Sequence, residues 1–303
     1  MQRTIRHRVL ALTLLLAGMT SAHAALKVFA CEPEWGALTK ELAGEQASVY
    51  TATNALQDPH QIQARPSLMA AMRNADLLVC TGAELEVGWL PLLLRQSSNP
   101  ALQNGKPGNF EAAAYVRKLE IPTRLDRADG DVHASGNPHI QTDPNNIALV
   151  ALALSKRLTE VDPAHASAYQ ARLADFNTRW NQAMQRWTKA ATPLKGVPIV
   201  VQHKGFPYLE QWLGLNQVAA LEPKPGVEPS SAHLSDVLAQ LQRHPAKLVI
   251  RAAYNEGRGS QWLADRAHIP VVVLPFTVGG SERAKDLFGL FDDTVDQLLK
   301  AAQ

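Results

Sequence analysis

The chain has 303 residues, 46% of them hydrophobic and 19% charged, with 30 Lys and Arg against 28 Asp and Glu. Three of the basic residues, Arg3, Arg6 and Arg8, stand in the first eight positions without an acid, so 27 bases face 28 acids in the remainder. That near-neutral remainder has no run of Lys or Arg to meet a phosphate backbone, which excludes a nucleic-acid partner.

The basic start runs into the apolar stretch VLALTLLLAGM and ends at Ser21-Ala22-His23-Ala24, the layout of a secretory signal peptide cleaved after Ala24. A membrane anchor is the rival reading, but the apolar run is shorter than the roughly 20 residues that span a bilayer. The mature chain is therefore expected in the periplasm. Its length suits two domains rather than one small core.

Short β-rich runs alternate with longer helical patterns, the signature of parallel α/β layers. Strands are predicted at Lys27–Cys31, Ala47–Thr51 and Asp76–Cys80, and helices at Glu34–Ala43, Ser67–Asn74 and Glu86–Gln96, the last with an interior Pro91 that would kink it. Gln103–Gly108 reads as a turn-rich connection. Thr123–Pro138 reads as a polar, mobile loop. A helix then opens at Asp143-Pro144, with Asp143 as N-cap and Pro144 at its first position. From Asp162-Pro163 to Ala191 runs the longest pattern, about 28 residues and some 40 Å at about 1.5 Å each, enough for a stiff strut between two domains. The alternation then restarts, with strands at Val197–Gln202, Gln217–Ala220, Lys247–Ile250 and Val271–Leu274 and helices at Pro207–Leu213, Ser231–Arg243, Ser260–Ala267 and Glu282–Ala302. The expected fold is two parallel-sheet α/β lobes joined by one long rigid helix: a signal at 1–24, an amino-terminal lobe at 25–160, the linking helix at 161–192 and a carboxy-terminal lobe at 193–303.

Cys31 and Cys80 each end a short apolar run. On neighbouring parallel strands they would leave the sheet at one edge, where a disulfide is geometrically possible and an oxidising compartment would preserve it. Two buried thiols, or a Cys pair on a metal, are the alternatives.

Of the ten histidines, two fall in the signal and His165, His233, His244 and His268 lie on helices or their ends. His203 directly follows the strand VPIVVQ and His60 follows the strand around Val49 by a short loop, where open α/β sheets gather ligands. His139 precedes a helix. Three imidazoles from separate loops would suit Zn²⁺ at about 2.0–2.1 Å, with a fourth position for a carboxylate or water. Their separations of 79 and 64 residues match no compact metal motif, so by spacing alone they read equally as ordinary histidines.

Local context changes that reading. Leu56-Gln57-Asp58-Pro59-His60, followed by Arg65-Pro66-Ser67 and the strand ADLLVCTG, resembles the segment of the first metal ligand in the solute-binding proteins that serve zinc and manganese ABC transporters. Gly136-Asn137-Pro138-His139-Ile140 is similar to that family's second-ligand loop, and Val201-Gln202-His203-Lys204-Gly205-Phe206-Pro207-Tyr208 to its third-ligand motif. The resemblance covers essentially the whole mature chain. It implies metal held between two lobes by His60, His139 and His203, high-affinity capture in the periplasm, and delivery by a monomer to the membrane permease of an ABC transporter.

Many relatives place an Asp as fourth ligand in the loop after the last strand. Here that loop reads Leu274-Pro275-Phe276-Thr277-Val278-Gly279-Gly280, without an acid. A nitrogen-rich set without that Asp favours Zn²⁺ over Mn²⁺. The fourth position then falls to water or to Glu256, and His133, in a loop the family often makes His-rich or acidic, is a candidate accessory ligand. Two other functions are weighed. A zinc-dependent hydrolase would use bound water as nucleophile, but no HExxH helix, nucleophile elbow or phosphate loop is present. A binding protein for a chelated metal or another solute would present an arginine-lined or aromatic pocket. Capture rather than catalysis is the expectation.

Overall fold

The computed structural model describes residues 24–124, 130 and 132–303. The signal segment up to residue 23 lies outside the described residues, as do 125–129 and 131 of the predicted loop at 123–138. No helix among the described residues is long and apolar enough to cross a membrane.

Two four-stranded parallel sheets carry the fold. The first contains β1 (Leu26–Ala30), β2 (Ala47–Thr51), β3 (Leu77–Cys80) and β4 (Asn109–Glu111) in the order β2-β1-β3-β4. The second contains β5 (Pro198–Val201), β6 (Asn216–Ala220), β7 (Leu248–Ala252) and β8 (Val271–Leu274) in the equivalent order β6-β5-β7-β8. In each sheet the chain turns back across its first strand, so the switch point lies between β1 and β3 and again between β5 and β7. Crevices beyond the carboxyl ends of strands at such points are where open α/β sheets bind ligands. The three buried positions of β5 and all four of β3 show why these strands read as unbroken apolar runs: helices cover both faces.

The helices of the first half are α1 (Pro33–Ala43), α2 (Pro66–Arg73), α3 (Leu90–Ser97) and α4 (Pro144–Val161). Asp143 caps α4 by accepting from the Asn145 N–H at 2.8 Å, as its Asp-Pro start predicts. Pro91 does not kink α3. The helix begins at Leu90, so the proline sits in the first turn, where a missing N–H costs nothing. The three-residue β4, directly after the turn-rich stretch Gln103–Gly108, is an addition the sequence pattern does not announce.

The long helix is shorter than expected. A 3-10 turn at Pro163–His165 precedes α5, which spans Ala166–Ala190. Asp162 leaves helical geometry there, and its Oδ2 takes the Tyr169 hydroxyl and pairs with His165 Nδ1 at 2.7 Å. Tyr169, Phe176, Trp180, Ala183 and Trp187 form the buried stripe of α5 at helical spacing. In the second half, α6 (Pro207–Leu213), α7 (Ser231–Arg243), α8 (Arg258–Ala267) and α9 (Leu287–Ala301) flank the sheet. The closing helix starts five residues later than its pattern suggested because Asp286 is its N-cap, accepting from Gly289 N–H at 2.7 Å. One apolar cluster runs from β1 and α1 through α5 to α9 and the second sheet, so the two halves share a core along the long helix.

Cys31 and Cys80 are joined in a disulfide, with Cα atoms 4.8 Å apart. The pairing of β1 with β3 brings the two strand ends together, and Cys31 N–H bonds Val79 O across them. Neither free thiols nor a Cys metal pair survives.

Candidate metal centre

The three predicted histidines converge between the carboxyl edges of the sheets. One ligand nitrogen from each of His60, His139 and His203 lies within 4.8 Å of the others. A tetrahedral zinc with Zn–N of about 2.0–2.1 Å holds its nitrogens about 3.4 Å apart. His139 Nε2 and His203 Nε2 stand 3.3 Å apart already. The ring planes meet at 72 to 80°, so the three edges point inward from different directions.

The His60 and His203 rings are each held from behind by a carboxylate. Asp58, two residues before His60, accepts at Oδ1 both the His60 backbone N–H at 3.0 Å and His60 Nδ1 at 2.7 Å. The loop itself is tied down by Trp89 Nε1, which donates to Pro59 O at 2.9 Å. His203 emerges two residues after β5, and its Nδ1 meets Glu222 Oε2 at 2.7 Å. Glu222 stands just past β6, the strand beside β5, and also accepts the Gly226 N–H at 2.8 Å. With protons on Nδ1 for these carboxylates, both rings turn an Nε2 lone pair into the cleft.

Asn137 places His139. Its side-chain oxygen accepts the His139 N–H at 3.0 Å while its Nδ2 donates to Lys204 O, beside His203, at 2.9 Å. One side chain thus sets the second histidine against the third. Neither Asp58, Asn137 nor Glu222 was singled out from the sequence. Asp58 and Asn137 were visible as Asx residues two positions before a histidine, a spacing that closes a local turn. Glu222 needed the strand order.

His139 is 1% exposed, and burial, then the neighbouring His60, His203 and His133 rings, push its pKa well below the usual imidazole value. Burial would raise Asp58, but its hydrogen bond to His60 and that ring's charge bring its carboxyl below the ordinary range. His60 Nε2 and His139 Nδ1 are buried without hydrogen-bond partners. The His60 nitrogen faces the cleft, where such an orphan is costly in a plain core and is what a cation would satisfy, whereas His139 Nδ1 is on the far side of its ring from the Nε2 that meets His203.

His133 lies over His60, ring centroids 5.3 Å apart and planes at 30°, and burial lowers its pKa to about 4. It is beside the set of three and outside it. Glu256 is not brought to the site. Its carboxylate pairs with Arg258 at 3.4 Å at the exposed start of α8. In the loop after β8, Phe276 packs its ring 5.3 Å from that of His139. A cavity of about 440 Å³ opens from His133, His139 and His203 to solvent past Arg124 and Lys224. A larger one of about 700 Å³, at Lys40, Arg172 and Lys285, touches none of the histidines.

The family model described as zinc-uptake complex component A, periplasmic (ZnuA) matches residues 28–301. The chain belongs to the ZnuA family. It is 24% identical over 212 residues to the high-affinity zinc uptake system protein ZnuA of Yersinia pestis, covering 63% of this chain and 64% of that one. It is 26% identical over 231 residues to the zinc-binding lipoprotein AdcA of Streptococcus pneumoniae, covering 75% and 44%. The chain thus spans between about half and two thirds of these two relatives. The manganese ABC transporter substrate-binding lipoprotein PsaA of Streptococcus pneumoniae is 22% identical, covering 83% of this chain and 80% of the relative. In fold, a crystal structure of ZnuA superposes with a TM-score of 0.76 at 21% identity, over 92% of this chain and all of the other. A laminin-binding adhesin from Streptococcus agalactiae gives 0.72 at 22% identity, over 90% and 100%. The ZnuA-family architecture of two parallel-sheet lobes and a long helix is the one described above.

Removing a carboxylate behind a ligand should loosen that ligand without emptying the cleft. Glu222→Gln and Asp58→Asn are each expected to weaken zinc binding about 10- to 100-fold. Competition against a chelator measures this, and Gln240→Ala, remote from the histidines, is the control.

Proposed function

We propose that the chain captures a divalent transition metal in the periplasm, zinc foremost and manganese less tightly, and delivers it to the membrane permease of an ABC transporter. His60, His139 and His203 are the ligands, with water in the fourth position and His133 as an accessory imidazole at the entrance. The supporting observation is the convergence of one nitrogen from each of three rings, of which the buried His60 Nε2 has no hydrogen-bond partner and His139 Nε2 faces His203 Nε2 at 3.3 Å. An all-imidazole set suits zinc better than manganese, which prefers oxygen ligands. The printed roles of the Yersinia and pneumococcal relatives, zinc uptake and zinc binding, agree with that preference.

The same reading takes the chain as a monomer, cleaved after Ala24, with lobes at 25–160 and 193–303 about a linking segment at 161–192. It is a carrier rather than a hydrolase. Phe276 against His139 leaves an apolar wall where a general base would be needed. The test is to strip residues 25–303 of metal and titrate zinc and manganese against a competing chelator. Zinc binding at least 100-fold tighter is expected, and equal affinities would refute the preference.

Neutral imidazoles bind the cation, so zinc displaces whatever protons the ligands carry. Burial keeps His139 neutral far below the ordinary value of about 6.5. It has no proton to give up at pH 6 to 7. Zinc binding there should release fewer than three protons from the imidazoles, because His139 contributes none. Calorimetry in buffers of different ionisation heats counts them, and a release approaching three would contradict the burial of His139.

A further inference from the structure

The cleft has a second polar floor, on the side of the first sheet. Glu32 stands two residues after β1, the place at its switch point that His203 occupies after β5 in the other sheet. Glu34 follows in the first turn of α1 and Glu86 on the turn after β3. The three carboxylates are 3%, 2% and 2% exposed. Among the described residues no lysine or arginine is paired with any of them.

Their geometry forbids three charges. Glu86 Oε1 and Glu32 Oε2 both accept the backbone N–H of Thr81, at 2.7 and 3.3 Å, which brings the two carboxylate oxygens close together, with Gly82 N–H donating to Glu86 and the Thr81 hydroxyl to Glu32 besides. Like charges at such range in a buried site cannot both persist. Glu34 crosses the cleft: the Thr277 hydroxyl, in the loop after β8, donates to its Oε2. A cavity of about 20 Å³, room for one water-sized occupant, is lined by Glu32, Glu34, Gln141, Tyr254 and Thr277 among others. Two acceptors on its wall, Glu32 Oε1 and Gln141 Oε1, are buried without a donor. Gln141 is 3% exposed, the Tyr254 hydroxyl on the same wall is also without a partner, and a protonated carboxyl group carries an O–H donor that a carboxylate lacks.

We propose that this floor is a proton-binding site between the two halves, in which Glu32 and Glu86 share one proton and Glu34 holds a second while Thr277 ties it to the loop after β8. The loop is the one that lays Phe276 on His139, so the proton latch and the cargo site share a wall. Burial raises Glu34 and Glu86 to about 7 each, and burial, then the charges of Glu86 and Glu34, raise Glu32 well above its ordinary value. The other titratable group facing the cavity is Tyr254, after β7, which burial and the charges of Asp58 and Glu222 hold neutral. The loop after β2 and the turn after His139 present only neutral side chains to the cavity.

The sign follows. A carboxyl group whose folded pKa is raised from 4.5 to about 7 favours the folded chain below 4.5, and that advantage is lost as pH rises to about 7 and beyond. The inference does not depend on the metal, and its test uses the metal-free chain. Glu34→Gln keeps an acceptor for Thr277 and removes the charge. It should raise the melting temperature at pH 8 by about 5 °C and leave it unchanged at pH 5, flattening the profile between. Infrared spectroscopy of the wild type at pH 6 should show the carbonyl band of protonated, buried carboxyl groups, diminished at pH 9. A Glu34→Gln melting profile parallel to the wild type overturns the proposal. Should that variant not fold, absence of the infrared band at pH 6 overturns it instead.

Discussion

His139→Ala is expected to abolish functional zinc binding, weakening it by at least 100-fold, with His60→Ala and His203→Ala close behind. A four-ligand zinc site is worth on the order of 10–16 kcal/mol, so each imidazole carries roughly 3 kcal/mol, a little over two decades in affinity. His139 stands first because it is the most deeply buried of the three and sits 3.3 Å from His203 Nε2, so no neighbouring side chain or solvent can take its place. His133→Ala should cost little in affinity, since that ring stacks beside His60 rather than completing the set, and should slow loading instead. Chelator competition gives the equilibrium and stopped-flow mixing the rate. If all three alanine variants hold zinc as tightly as the wild type, the ligand assignment fails. A Glu256→Ala variant is expected to bind normally, its carboxylate being engaged with Arg258 away from the cleft.

What the sequence made legible was local. The Asp143-Pro144 start, the apolar strand cores and the loops carrying His60 and His203 follow from propensity, capping and the position of ligands at strand ends. The boundaries that failed were also governed by local chemistry, read with the wrong emphasis. Pro91 reads as an interior kink in a helix over Glu86–Gln96, while the chain uses the proline to begin one at Leu90. Glu282 reads as the start of the closing helix, but Asp286 is the residue that caps it. What could not be read was contact between distant segments. Glu222 reaches His203 only because β6 lies beside β5, and Glu34 meets Thr277 across 243 residues of sequence. Both pairings depend on strand order, which neither periodicity nor composition encodes.

The same dependence makes the long helix the place where stability and site are joined. Trp180, fully buried on α5, stacks on Phe176 at 5.1 Å and meets Phe288 and Phe291 of α9 at 5.0 and 5.5 Å. Its Nε1 donates to Pro144 O at 2.9 Å, the first turn of α4, which His139 precedes by five residues. Trp180→Ala should cost about 3–5 kcal/mol, the range for emptying a large aromatic site. The melting temperature would fall on the order of 10 °C. Trp180→Phe keeps most of the packing and loses the hydrogen bond to Pro144, so it separates the two contributions, with a cost of about 1–2 kcal/mol attributable to the bond. Because the apolar cluster continues through α5 into both sheets, the halves should unfold together in one transition, in the wild type and in Trp180→Ala alike. Two resolved transitions would show that the helix merely spaces the lobes. One transition, together with weaker zinc binding in Trp180→Ala than in Trp180→Phe, would show that the packing of α5 also sets where His139 meets His203.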